Sequence, residues 1–392
     1  MTEELEQFLR AERDEGRLDS AGTFTLDSAR ALEKLAKHTL PRESAWVLRI
    51  VQAAVSGRAE SLVVRVNRKN VGMELSGLPE TFDLEEFCRI LTDPTAAAPP
   101  FKAHLAEALR YVGISQKRYV LIQLFGGLKN PWVKIRDGGQ MERSDFLDQG
   151  EILKSQRIQL YFGAPVQGWG ARIARLFGGG GWFVDEEREL RGRCYLCPVA
   201  LRVDSSEISN FIKTEARLAA GGPEPFFWGG AAPSPETLPP FGLEKLWRDW
   251  AHQMQKPGDY RKARKMALSG IDHDPLGCLW CFSFDFENGR RLPSAVHWLR
   301  DGVIVDSWPI EEMKGLSLGL HLHVSSDGLP TDLSGWKLRA EESEVRERYR
   351  VALAQVLESV PQASESLGRW DFSELSQDAC RNELVALTRR LL

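Results

Sequence analysis

Trp46-Val-Leu-Arg-Ile-Val-Gln-Ala-Ala-Val-Ser-Gly-Arg-Ala-Glu-Ser-Leu-Val-Val64 is the stretch whose reading decides the fold. Trp46, Val47, Ile50, Val51, Ala54 and Val55 recur at helical spacing and form one broad apolar face, and Gly57 offers the stop that helices favour at their C-terminal end. Ser61 to Val66 then carries the β-branched residues of a strand. A helix this apolar must be covered on its wide face, so it predicts the centre of a core.

Upstream, Glu4 to Glu15 reads as one helix, and a segment opened by Thr25 and Asp27 reads as another, ending at Leu40 before Pro41. Downstream come a strand around Val71 to Leu75, a helix from Leu84 to Leu91, the loop Thr92 to Pro100 and a helix from Phe101 to Val112. Strands at Tyr119 to Phe125 and Pro131 to Arg136 follow, joined through Phe125-Gly-Gly. This order predicts an α+β chain that begins with a two-layer α/β sandwich, helices on one sheet face, over residues 1–150. A second α/β domain spans 151–335, opening on Arg157-Ile-Gln-Leu-Tyr-Phe and interrupted by a Pro/Gly-rich insertion at 221–242. Within it, helices are expected at Leu243 to Met254 and Asp259 to Leu268, and strands at Leu279 to Phe286, Ala295 to Leu299, Val303 to Trp308 and Leu320 to Val324. Residues 336–392 form a C-terminal helical segment, with helices at Glu342 to Val360 and Phe372 to Leu391.

Composition narrows the class. The 392 residues are 43% hydrophobic and 27% charged, as in globular proteins. The formal charge of −4, from 51 Lys and Arg against 55 Asp and Glu, gives no global reason to expect nucleic-acid binding. The acidic start Met1-Thr-Glu-Glu-Leu-Glu-Gln lacks the pattern of a secretory signal and no apolar run approaches membrane-spanning length, so a cytoplasmic protein without a membrane span is expected.

The Trp46 to Val64 segment resembles the helix-to-strand segment of the GHKL superfamily, which includes gyrase, the large heat-shock chaperones, histidine kinases and MutL-type repair proteins. The resemblance implies the fold just read, with residues 157 to 204, ending Arg193-Cys-Tyr-Leu-Cys-Pro-Val-Ala-Leu-Arg-Val-Asp204, looking like the start of a transducer-like second domain. In active members the helix carries a Glu that polarises the attacking water, an Asn four residues on that binds magnesium, and an Asp three residues further. Here those positions hold Arg49, Ala53 and Ser56. Arg cannot act as a general base near neutral pH, and Ala offers no oxygen to a hard cation. The family's adenine-reading Asp-x-Gly falls at Met73-Glu-Leu-Ser-Gly77, where Ser76 stands in the Asp position beside Gly77, and Glu74 is out of register. Pro100-Phe-Lys-Ala-His-Leu-Ala-Glu-Ala-Leu-Arg is similar to the helix after the nucleotide lid, without the loop glycines.

The resemblance therefore implies a pseudo-ATPase: a non-catalytic module, with no cofactor, that binds protein partners or itself as a scaffold or regulatory subunit of a bacterial multi-protein system. The alternative is a divergent chaperone-like ATPase that binds ATP and magnesium through relocated groups.

Other constellations differ in their chemistry. Cys194/Cys197 and Cys278/Cys281 form two Cys-x-x-Cys pairs, a formal set for tetrahedral zinc. Their neighbours read as strands, and residues three apart on a strand point to opposite faces, which favours buried thiols. Gly178 to Gly181 lacks the Lys-Ser/Thr of a P-loop and reads as a hinge. Its flanks, with Trp169, Arg172, Arg175 and Trp182, suit packing or contact with a protein partner. Lys256, Arg261, Lys262, Arg264 and Lys265 form the densest basic run and read as a solvated face. His321 and His323 share one strand face, while a third ligand, His297 or His273, cannot be placed from spacing. His38 and His104 are lone helical histidines. In Ser325 to Gly335, Asp327-Gly328 signals a turn and Thr331/Asp332 a helix cap.

Overall fold

A computed structural model describes residues 40–66, 70–79, 81–93, 96–126, 129–136, 140–147, 156–163, 184–209, 225–231, 277–286, 290–332, 334–369 and 373–392. Among these residues the chain is α+β, with two sheets and six α-helices. The expected helices before Leu40 and between Leu243 and Leu268 lie outside them.

Helix α1, Trp46–Ser56, ends where the Gly57 N–H donates to the Ala53 carbonyl at 2.8 Å and the Arg58 N–H to that of Val55 at 2.9 Å. Every residue from Trp46 to Ala54 is buried. The chain turns into β1, Ser61–Val66, which pairs antiparallel with β2, Asn70–Leu78. Helix α2, Leu84–Thr92, starts at Asp83, whose carboxylate accepts from the N–H groups of Glu85 and Glu86. Helix α3, Pro100–Arg110, packs on α1 and α2 and runs into one π-helical turn at Tyr111–Ser115. The expected continuation to Val112 thus changes its hydrogen bonding at Tyr111, where Gly113 seats against Ile135.

Strands β3, Val120–Phe125, β4, Lys129–Arg136, and β5, Gln140–Leu147, form a meander. β6, Gln156–Gly163, inserts between β3 and β2, and β7, Ala200–Val203, runs parallel to β1 with β8, Ser206–Glu207, beside it. The eight-stranded order is β5-β4-β3-β6-β2-β1-β7-β8. The boundary expected at residue 150 therefore falls inside this sheet. The reason is packing: Ile158, Leu160 and Phe162 alternate inward beside Val71, Met73 and Leu75, and the Phe162 ring lies 4.4 Å from that of Trp46. The opposite face is polar, with Glu74 between Arg65 and Arg157.

Helix α4, Val184–Arg193, is charged along its length and is held by ion pairs. Glu186 meets Arg118 at 3.4 Å and accepts from the Trp46 indole, while Glu189 pairs with Arg42 at 3.0 Å and Arg193 at 3.1 Å.

The second sheet has the order β12-β11-β13-β10-β9. Its strands are β9, Pro225–Ala231, β10, Cys278–Ser283, β11, Ala295–Arg300, β12, Val303–Pro309, and β13, Gly319–Ser325. β11 and β13 are parallel and the other pairs antiparallel. Helix α5, Ser343–Ser366, covers one face, where the Trp280 indole donates to the Ser359 hydroxyl at 2.9 Å. Helix α6, Glu374–Leu391, packs on α5. β12 packs against both α1 and α4, which joins this sheet to the first. No helix among the described residues is long and apolar enough to cross a membrane.

Candidate functional site

Positions 49, 53 and 56 share one face of α1, as i, i+4 and i+7 positions do. That face is closed by the rest of the chain. Arg49 lies 5% exposed; its Nε is 2.9 Å from Glu107 Oε2 of α3, Nη1 donates to Gln52 at 2.9 Å and Nη2 to the Ser334 carbonyl at 2.8 Å. Its guanidinium carbon sits 4.6 Å from the Trp336 ring centroid, a cation–π distance. One turn on, Gln52 donates to the Arg300 carbonyl at 3.3 Å and Ala53 is fully buried. A Cβ on Gly302 would meet Val55 Cγ2 at 3.1 Å and Pro198 Cδ at 2.7 Å, so the β11–β12 turn lies directly on the helix. His104 adds an Nε2 to Asp301 Oδ2 contact of 3.3 Å between α3 and that turn. Ser56 spends its hydroxyl on the carbonyls of Gln52 and Ala53.

No hydrogen bond or ion pair of Arg49 reaches Ser76 or Gly77 among the described residues. Ser76 pairs with Ser61 at the start of β1, and its carbonyl accepts from the Glu60 N–H at 2.9 Å. Its hydroxyl bonds Glu74. Gly77 has φ +73°, and a Cβ there would lie 2.3 Å from Glu60 Cγ, so glycine is required by the β2 irregularity between Ser76 and Leu78.

The four cysteines separate by element. Cys278 and Cys281 lie on β10, as expected, and point to opposite faces: Cys281 sits opposite His321, Cys278 opposite Val324. Cys194 and Cys197 are not on a strand. Their segment is a turn after α4, in which Cys197 N–H donates to the Cys194 carbonyl at 3.0 Å, because α4 carries its hydrogen bonding through to Cys194. All four thiols are buried, and burial pushes Cys197 and Cys278 up to about 12. Among the described residues no group of three or more His, Cys, Asp or Glu side chains is arranged to hold a metal ion.

The histidines do converge. Parallel pairing sets His297 of β11 beside His323 of β13, on the same face as His321. His297 Nε2 lies 3.0 Å from His321 Nδ1, His297 Nδ1 lies 2.9 Å from the Ser307 hydroxyl, and His323 Nε2 lies 2.9 Å from the Tyr195 hydroxyl. Burial, with His321 nearby, pushes His297 down to about 3; burial also lowers His321 and holds His323 well below its usual value. Ser307–His297–His321 has the connectivity of a nucleophile, its base and an orienting group. Burial lowers the basicity of His297, which opposes proton uptake from Ser307.

Ser307 and His297 border a cleft of about 750 Å³ between the residues preceding α1, the end of α4, β12 and the 332–337 turn. Asp332, expected to cap a helix, closes this turn instead: its Oδ1 accepts from the Ser334 hydroxyl at 2.7 Å and from the N–H groups of Trp336 and Lys337. Trp336, Ser334 and Gly302, which seal α1, carry no sequence signal of that role, since each acts across more than 240 positions of chain. Trp169, Arg172, Arg175, Trp182, the Gly178 to Gly181 hinge, the basic run from Lys256, His38 and His273 lie outside the described residues.

No protein-family model matches the chain, and no curated protein matches its sequence.

Proposed function

We propose that this chain is a GHKL-like module that has lost ATPase chemistry and works as a protein-binding scaffold or regulatory subunit, with its first sheet as the sandwich and its second as the transducer-like part. One observation carries the reading. The α1 face that would hold the attacking water and magnesium presents Arg49, Ala53 and Ser56, and Arg49 is committed to Glu107, Gln52, Ser334 and Trp336. A cation placed there repels magnesium, and the neutral methyl of Ala53 cannot ligate it. Opening this face would break a buried ion pair and expose Trp336, so nucleotide entry is opposed by packing as well as by chemistry.

The test is steady-state phosphate release from ATP and magnesium by the full chain. The expected rate equals that of buffer. Release that disappears in Glu107→Gln, the acidic side chain nearest the degenerate positions, would instead support the relocated-catalysis alternative.

A further inference from the structure

We infer that the cleft between α4, β12 and the 332–337 turn binds a compact anion through carboxylate or phosphate oxygens. Its volume, about 750 Å³, lies within the roughly 300–1,000 Å³ of small-molecule sites. The chemistry follows from which of its groups are already engaged.

Both carboxylates of the lining are turned to the protein's own donors. Asp306 Oδ1 accepts from the Ser307 N–H at 2.8 Å, and Oδ2 accepts from the Trp308 indole at 3.0 Å and the Leu338 N–H at 3.1 Å. Asp332 accepts from Ser334, Trp336 and Lys337 as described, and although burial opposes it, these bonds hold its carboxyl below the usual range. The acids are therefore poor acceptors for a ligand's donors.

The cations are less fully engaged. Arg42 and Arg193 share a single carboxylate, Glu189, Arg193 also donates to the Ile304 carbonyl at 3.4 Å, and Arg42 remains 64% exposed. Lys337 projects from the facing turn, is exposed, and its ammonium makes no ion pair among the described residues. Ser307 adds a hydroxyl that can accept from His297 and donate into the cleft. Donors thus face each other from two walls, with the neighbouring imidazoles neutral. A ligand with several anionic oxygens satisfies both walls; a cation meets acids that already accept from the protein's own donors, Asp306 on both oxygens and Asp332 on Oδ1.

The inference is independent of the scaffold reading and is tested on the full chain by calorimetric titration with inorganic phosphate and, separately, with citrate. Saturable binding with a dissociation constant below about 1 mM is expected for at least one of them. Lys337→Met should weaken it about tenfold, while Arg381→Gln, which removes an exposed cation on α6, should leave it unchanged; both variants should keep the wild-type melting temperature. Binding of phosphate alone identifies a phosphate ligand, binding of citrate alone a polycarboxylate, and binding of both the shared oxygen chemistry. Absence of saturable binding for both anions, or equal weakening in the two variants, overturns the proposal.

Discussion

Arg49 is where the chain closes on itself and, on the proposed GHKL-like reading, where a catalytic Glu would stand. Its side chain is 6% exposed and Glu107 is 31% exposed, so the pair is only partly screened. Arg49→Met would leave the Ser334 carbonyl without its donor and Glu107 without its ion-pair partner at 2.9 Å. We expect a loss of about 3 kcal/mol in urea unfolding, the lower end for a broken buried pair, since Glu107 keeps some water; a loss under about 1 kcal/mol would mean the contact is ornamental. Gly302 gives a second handle on the same seam. With φ +70° and Pro198, Val55 and Cys197 against the missing Cβ, Gly302→Ala is expected to cost about 1–3 kcal/mol. The residue types at 49, 53, 56 and 76 were legible in the sequence, and so was what they cannot do. What they do instead was not, because Ser334 and Trp336 reach Arg49 from 285 or more positions away.

At the level of elements, local pattern and structure agree where burial is one-sided. β1, β2, β3 and β6 alternate buried and half-buried residues and were readable as strands. β5 was not, because Met141 is the one apolar residue between Gln140 and Asp145 and the strand forms by pairing with β4 at a sheet edge. α4 escaped for a related reason: Val-Asp-Glu-Glu-Arg-Glu-Leu-Arg-Gly-Arg has almost no apolar stripe, and its anchors Arg118 and Arg42 are remote in sequence. The histidine set depends on the parallel β11–β13 pairing, which spacing cannot show, although the shared face of His321 and His323 was visible. It predicts an acid limb. The three imidazoles are neutral in the fold with pKa values lowered, whereas the unfolded chain titrates them near 6.5. Unfolding therefore takes up protons, stability is full above about pH 6.5, and it falls as pH drops below that value, for His297 down to about 3, by about 1.4 kcal/mol per pH unit for each histidine. His297→Gln should flatten the slope of unfolding free energy between pH 4 and 6 by one proton's share; an unchanged slope would show that His297 is already charged in the fold.

For the molecule as a whole, two sheets meet through α1, which serves as core for the first and as seat for the β11–β12 turn of the second. The sequence announced that helix clearly, but not that β6 to β8 complete the first sheet, since strand order is a property of long-range pairing. Because the cysteines sit in a turn and on opposite strand faces, chelation with EDTA is expected to leave the melting temperature unchanged; a fall on chelation, reversed by zinc, would return the four thiolates to a metal. On the proposed reading the α1 face is an internal seam that holds no nucleotide. Isothermal titration of the full chain with ATP and magnesium tests it most directly. No saturable heat is expected up to millimolar nucleotide, in wild type and in Arg49→Met alike. Micromolar binding by the wild-type chain would contradict the account.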